Sequence, residues 1–279
     1  HYAIAKARGK DVVVAFNVDP GNNLDDRTNL YYMHSVDGGE TWLNAGNQSV
    51  ALPIVTPAGL KTVAAREYYD PASIGGIQRR IYMKDVDFMG SGLSKKPSIL
   101  YVGSLSGDHN PSITADHYLA KARWTGTSWS NVRLANQVDH NYSSGMLHPN
   151  GSNYRVFYPD TIEWKNNAMA GGAAAYLDTA GTSSSVWGRT LISNDVLDPK
   201  TAPQSYLYDL CEYNYFKSVL NGSNDFVGIF YGGNMYQYRE GAPIFMVDLA
   251  GNIKRLPRTI SYVDANGEVS LENSQSCHN

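Results

Sequence analysis

Cysteine is scarce in this 279-residue chain, with only Cys211 and Cys277 present. Two thiols cannot build a tetrahedral zinc site without histidines, and Cys277-His278 is the sole adjacent pair. Their other use is one disulfide tying the C-terminus back to the body in an oxidising compartment. Charge is thin as well: 18% of residues are charged, against roughly 25% in an average soluble protein. The 23 basic and 26 acidic residues leave a net charge of -3. That balance excludes a strongly basic nucleic-acid surface and offers no polybasic membrane patch. No run approaches the roughly 18 uncharged apolar residues of a spanning helix. Helical periodicity over more than two turns is also missing; the best stretch, 58–67, is short and lies beside Pro57. The first residue is His1, without a charged-then-apolar leader, so any targeting segment is expected to have been removed.

What is abundant points one way. Tyrosine numbers 20, glycine 26, and apolar residues reach 42%, ample for a packed core and against disorder. Short β-branched and aromatic runs recur along the chain, including Asp11–Phe16, Leu30–His34, Ser98–Val102, Tyr154–Tyr158, Phe226–Tyr231 and Pro243–Val247. Each is bounded by Gly, Asn, Asp or Pro, which is the signature of strands. The chain reads as all-β.

A turn theme repeats between the runs. Its complete copy is Ser35-Val36-Asp37-Gly38-Gly39-Glu40-Thr41-Trp42, an S-x-D-x-G-x-T-W Asp-box. There the Asp carboxylate accepts backbone N–H bonds across a hairpin, Gly supplies a positive φ, and Trp packs beneath. Looser copies are Ala122–Trp129, Asp178–Trp187 and Asp248–Asn252. Recurrence at about 40–60 residues with four strands per unit predicts a β-propeller of four-stranded antiparallel blades. Four to five blades are expected in one domain, 1–279. An aromatic-rich sandwich would give hairpins at similar density, but the complete Asp-box favours the propeller.

Several segments together resemble the Asp-box (BNR) propeller family that includes the ulvan lyases. They are Tyr31–Ser35 leading into the Asp-box, Ile81–Val86, Ala122–Gly126, Asp139–Tyr142, Asn214–Lys217 and Gly251–Pro257, in the family's order. Family propellers usually have seven blades, so the chain is expected to match their C-terminal two thirds or to close with fewer. The resemblance implies a polysaccharide lyase performing β-elimination at a uronate in an acidic polysaccharide, with ulvan-type or rhamnose–glucuronate linkages. This chemistry asks for a cation to neutralise the uronate carboxylate, a base for the C5 proton and an acid for the departing O4. It needs no metal or organic cofactor.

The resemblance carries an acid/base role onto His140, in Asp139-His140-Asn141-Tyr142; a turn histidine satisfied by Asp139 is the plainer alternative. A second family histidine falls near His117, in imperfect register, and His109 is a third option. Tyr215 and Lys217 match a Tyr-x-Arg segment, with Lys where the family tends to have Arg. Lys keeps the charge but loses the planar fork that grips a carboxylate. Arg239 can take that role, with Asn141 and Tyr142 contacting the sugar. Asp19, Asp25 and Asp26 do not match a calcium-loop spacing.

Two other readings stay open: a sialidase-like glycoside hydrolase, which needs an arginine cluster and a carboxylate pair or Tyr nucleophile, and a non-catalytic carbohydrate-binding propeller. The expected partner is an acidic polysaccharide, with neither nucleic acid nor membrane, and the chain is expected to act as a monomer. The sequons at Asn47, Asn141, Asn150 and Asn221 permit glycosylation and favour a secreted, extracellular protein.

Overall fold

A computed structural model describes residues 2–18, 28–54, 63–65, 81–104, 117–135, 144–160, 172–179, 188–192, 213–219, 223–232, 244–256, 260–263 and 269–272. The β-branched and aromatic runs become strands. In β2 (Asp11–Val18), Val13 and Ala15 are fully buried while Val12 and Val14 are half-buried, as a sheet with unequal faces requires.

Four consecutive sets of strands form four antiparallel sheets. The first joins β1 (Tyr2–Arg8), β2, β3 (Thr28–Ser35) and β4 (Val63–Ala65). The second joins β5 (Ile81–Met89), β6 (Lys96–Ser104), β7 (His117–Trp124) and β8 (Trp129–Ala135). The third holds β9 (Met146–Asn150), β10 (Asn153–Asp160), β11 (Ala173–Thr179) and β12 (Thr190–Leu191). The fourth holds β13 (Tyr213–Ser218), β14 (Gly228–Gly232), β15 (Ile244–Val247) and β16 (Ile253–Arg255). A separate hairpin pairs β17 (Ile260–Val263) with β18 (Val269–Glu272).

The sheets pack face to face through three apolar clusters. Val13, Tyr32, Ile81, Phe88 and Tyr101 fill the first gap. Tyr82, Leu100, Leu147, Tyr154 and Val156 fill the second, and Met146, Phe157, Phe216, Phe230 and Phe245 the third. Neighbouring first strands run in the same direction. At the start of β5, the Ile81 carbonyl accepts from Asn17, which stands near the start of β1 opposite Tyr2, at 2.9 Å. At its end, the Phe88 carbonyl accepts from Arg8, the last residue of β1, at 2.6 Å. Four blades of four antiparallel strands, with their first strands side by side, make a β-propeller.

The turn at Ser35–Trp42 is built by hydrogen bonds. The Asp37 carboxylate accepts from the Thr41 N–H at 3.0 Å and from the Ser35 hydroxyl at 2.6 Å. Trp42 Nε1 donates to the Gly39 carbonyl at 3.0 Å, and Gly38 and Gly39 have φ of 90° and 103°. Hydrogen bonds from Ser35 and Thr41 hold the Asp37 carboxyl well below the usual range. At 248–252, Asp248 accepts from the Asn252 N–H at 2.8 Å, a turn of related design. Asp178 departs from the turn expected there. It lies inside β11, where its carboxylate takes two bonds from Arg155 on β10, at 2.8 and 2.6 Å. The pair is cross-strand, so the Asp belongs to a ladder rather than a hairpin loop.

Candidate active site

The antiparallel pairing sends alternate connections to opposite ends of the blades. The segments before β5, β9 and β13 enter from one end, and that end gathers the starts of three neighbouring inner strands. On β13, Tyr213 and Phe216 both pack in the cluster between the third and fourth blades. Residues three apart point to opposite faces of a regular strand. A β-bulge between Asn214 and Lys217 resolves the conflict: two residues, Tyr215 and Phe216, stand where one would pair. Tyr215 takes the strain, with φ of 56°, a left-handed conformation that costs about 1–3 kcal/mol for a non-glycine residue. Phe216 gains full burial and a stacked ring against Phe230 at 4.7 Å, a transfer contribution of about 1.5–3 kcal/mol.

The bulge is fastened to β9. Asn214, fully buried, accepts through Oδ1 from the Ser144 N–H at 2.9 Å and from the Tyr215 N–H at 2.8 Å. In return, Ser144 Oγ accepts from the Phe216 N–H at 2.8 Å. Ser144 is two residues beyond Tyr142, so the end of the connection carrying the Asp139–Tyr142 motif is locked to the strand carrying Tyr215.

A second bulge occurs on β5, where Met83 faces Tyr101 and Asp85 faces Leu100, leaving Lys84 as the extra residue. Met83 and Val86 then both enter the cluster between blades one and two. Lys84, half-buried, has its ammonium 5.6 Å from the centre of the Tyr82 ring, a cation–π arrangement. Asp85 turns toward blade three and accepts from the Leu147 N–H at 2.8 Å. Burial raises the Asp85 pKa, with Lys6, 3.5 Å away, opposing the rise. Lys6 also meets Asp87 at 2.9 Å, and Arg8 meets Asp87 at 2.6 Å. This buried network joins blades one and two, and Lys6 also donates to the Leu147 carbonyl of blade three.

The predicted site residues distribute as follows. Tyr215 sits on the bulge and half-buried; Lys217 follows it, exposed, opposite Ile229. His117 begins β7, opposite Ser104, and is only 3% exposed. The structure therefore couples Tyr215 to Ser144 through Asn214 and sets His117 on the third strand of blade two. His140, Asn141, Tyr142 and Arg239 lie outside the described residues, as do Asp139, His109, both cysteines, Asp19, Asp25 and Asp26. Among the described residues, no group of three or more His, Cys, Asp or Glu side chains could hold a metal ion. Asn214, Ser144 and Lys84 escaped sequence reasoning. A signal existed for Lys84: the polar pair Lys84-Asp85 interrupts the apolar run of β5.

An open pocket of about 360 Å³ lies at the other end of the inner strands, lined by Arg8, Phe88, Met89, His148 and Pro149 among others. Arg8, Met89 and Asn150 end β1, β5 and β9 there, away from Tyr215. The Tyr215 end carries the Asn214–Ser144 pair and the bulges of β5 and β13, and the candidate site is assigned there.

No family model and no curated protein matches the chain. Solved structures do. An ulvan lyase described as a new polysaccharide lyase family, PL25, superposes with a TM-score of 0.56 at 15% identity, covering 88% of this chain and 51% of that one. The shared fold is the β-propeller. The same values hold for the ulvan lyase bound to -[GlcA(1-4)Rha3S]-. The polysaccharide lyase Uly1 gives 0.48 at 10% identity, over 88% of this chain and 42% of that one. The chain thus spans about half the length of the PL25 structures it matches.

Proposed function

We propose that this propeller is a carbohydrate-active enzyme, a polysaccharide lyase that breaks a uronate-containing acidic polysaccharide by β-elimination. One observation supports this above others: Asn214 locks the end of the His140-bearing connection to the bulge that presents Tyr215. An imidazole four residues before Ser144 in the sequence and a phenol next to Asn214 can supply the proton acceptor and donor that the reaction requires. The base takes the C5 proton; the C5–H electron pair becomes the C4=C5 double bond; the C4–O4 bond breaks, and O4 leaves with a proton from the acid. His140 and Tyr215 share these two proton roles. His117, buried below that end of blade two, acts as a positioning residue. Lys217 is exposed, where solvent screens its charge, so it attracts the polymer, together with Arg239, Asn141 and Tyr142.

The acidic oligosaccharide held by a protein of the same fold, -[GlcA(1-4)Rha3S]-, supports glucuronate–rhamnose linkages as the first substrates to try. The reading places the protein in the Asp-box class, secreted, extracellular and monomeric. The test is ultraviolet absorbance of the unsaturated uronate when the protein is mixed with ulvan and other acidic polysaccharides. A rise that disappears in His140→Ala is expected. Saturated ends would point to a hydrolase, and bound but intact polymer to a binding propeller; either result removes the lyase reading.

A further inference from the structure

Resting on that reading, we propose that Lys84 is the cation that receives the uronate carboxylate. The bulge on β5 explains how an inner strand can deliver it. Without the extra residue, Lys84 and Asp85 would point to opposite faces of the blade. With it, Asp85 reaches the Leu147 N–H of β9 at 2.8 Å while Lys84 stays on the side of Tyr82, whose ring belongs to the cluster between blades two and three. Lys84 therefore lies on the side of blade two that faces blade three, whose first strand, β9, follows the His140-bearing connection in the chain. Across β9, at the same end, the second inner-strand bulge carries Tyr215. Bulges re-aim side chains next to active sites, and here two of them flank the strand between.

The local physics suits the role. The Tyr82 ring, fully buried, gives the ammonium a fixed platform at 5.6 Å, and half-burial strengthens a charge–charge contact over one in open water. Lys84 forms no covalent bond in the reaction. It balances the carboxylate's charge as electron density moves from C5 into it, which lowers the barrier to proton removal.

The experiment compares wild type, Lys84→Met and Lys84→Arg on a uronate polymer and on its methyl ester, following unsaturated product. The ester carries no charge to neutralise and has a more acidic C5 proton. Lys84→Met is expected to lose about 100-fold or more in kcat on the acid form, to keep most of its rate on the ester, and to recover on the acid form in Lys84→Arg. Near-wild-type kcat and KM on the acid form, with an unchanged acid-to-ester ratio, overturn the assignment while leaving the lyase reading intact. Absence of unsaturated product from wild type on every acidic polysaccharide overturns the reading and the assignment with it. Should Lys84→Met fail to fold by circular dichroism, Lys84→Gln carries the same acid-to-ester comparison.

Discussion

Asn214 and Ser144, 70 residues apart, hold one another across the third and fourth blades through the Ser144 N–H and the Asn214 Oδ1 at 2.9 Å. The same oxygen takes the Tyr215 N–H, so one amide sets both the end of a long connection and the start of the strained bulge. Asn214→Ala leaves two N–H groups without this acceptor in a buried setting, a loss of about 1–3 kcal/mol. Urea denaturation is expected to show that loss, and product formation is expected to fall further than stability explains, because Tyr215 is freed from its left-handed conformation. An active, slightly destabilised variant would show that the bulge is structural only.

Lys121 leads to a less intuitive expectation. It is 1% exposed, donates to Thr179 Oγ1 at 2.8 Å, and lies 5.4 Å from the Tyr154 ring. Among the described residues no carboxylate pairs with it. Burial, and secondarily the charge of Arg123, lowers its pKa from 10.5 to about 8. Between those values the unfolded chain binds the proton that the folded chain has released, so stability rises with pH there. Below about pH 8 the folded state holds a buried ammonium and bears the whole penalty. Lys121→Met is therefore expected to stabilise the protein by roughly 1–3 kcal/mol at pH 7, with the gain shrinking toward pH 10. Equal destabilisation at both pH values would refute it.

Strand positions were legible in the sequence because short β-branched and aromatic runs bounded by turn residues mark them, as in Asp11–Phe16 and Tyr154–Tyr158. The Ser35–Trp42 turn was legible because the bonds made by its Ser, Asp, Thr and Trp side chains close within eight residues. Asp178 was misread because its partner, Arg155, lies on the adjacent strand, 23 residues away. The bulges left only faint traces: Tyr213 and Phe216 spaced three apart, and Lys84-Asp85 side by side. Which face such residues take is decided by core clusters assembled from other blades. Asn214's role depends on Ser144, and no local pattern encodes a bond that crosses between blades.

His34 makes stability pH-dependent in the acid range. It is 3% exposed on β3, and burial, with the Lys95 charge adding to it, lowers its pKa from 6.5 to about 4. A folded value below the unfolded one means that the unfolded chain binds more protons between them. Stability is then full above about pH 6.5 and is lost as pH falls toward 4, by up to roughly 3 kcal/mol. His34→Phe is expected to flatten this portion of the profile in thermal melts run from pH 7 to 4. A variant curve parallel to wild type would assign the acid sensitivity to the carboxylates instead.

Gly103 needs its missing side chain for space rather than for backbone freedom. A Cβ there would lie 2.4 Å from both Cζ and Oη of Tyr118, whose ring is 1% exposed and has the Arg133 guanidinium stacked at 4.1 Å. The ring cannot yield without displacing that stack, so Gly103→Ala is expected to cost about 1–3 kcal/mol. Gly151, with φ of 62° and open space around it, is the contrast: alanine there meets backbone strain alone, about 1 kcal/mol. Combining Gly103→Ala with Tyr118→Leu removes the obstructing ring, and the double variant is expected to lose less than the sum of the singles. Because the pair Ser104 and His117 follows directly after Gly103 and Tyr118, unsaturated-product formation in Gly103→Ala also reports on whether His117 positions the site. Activity unchanged in a destabilised Gly103→Ala would separate His117 from the reaction, and strict additivity of the two substitutions would rule out the steric origin of the glycine.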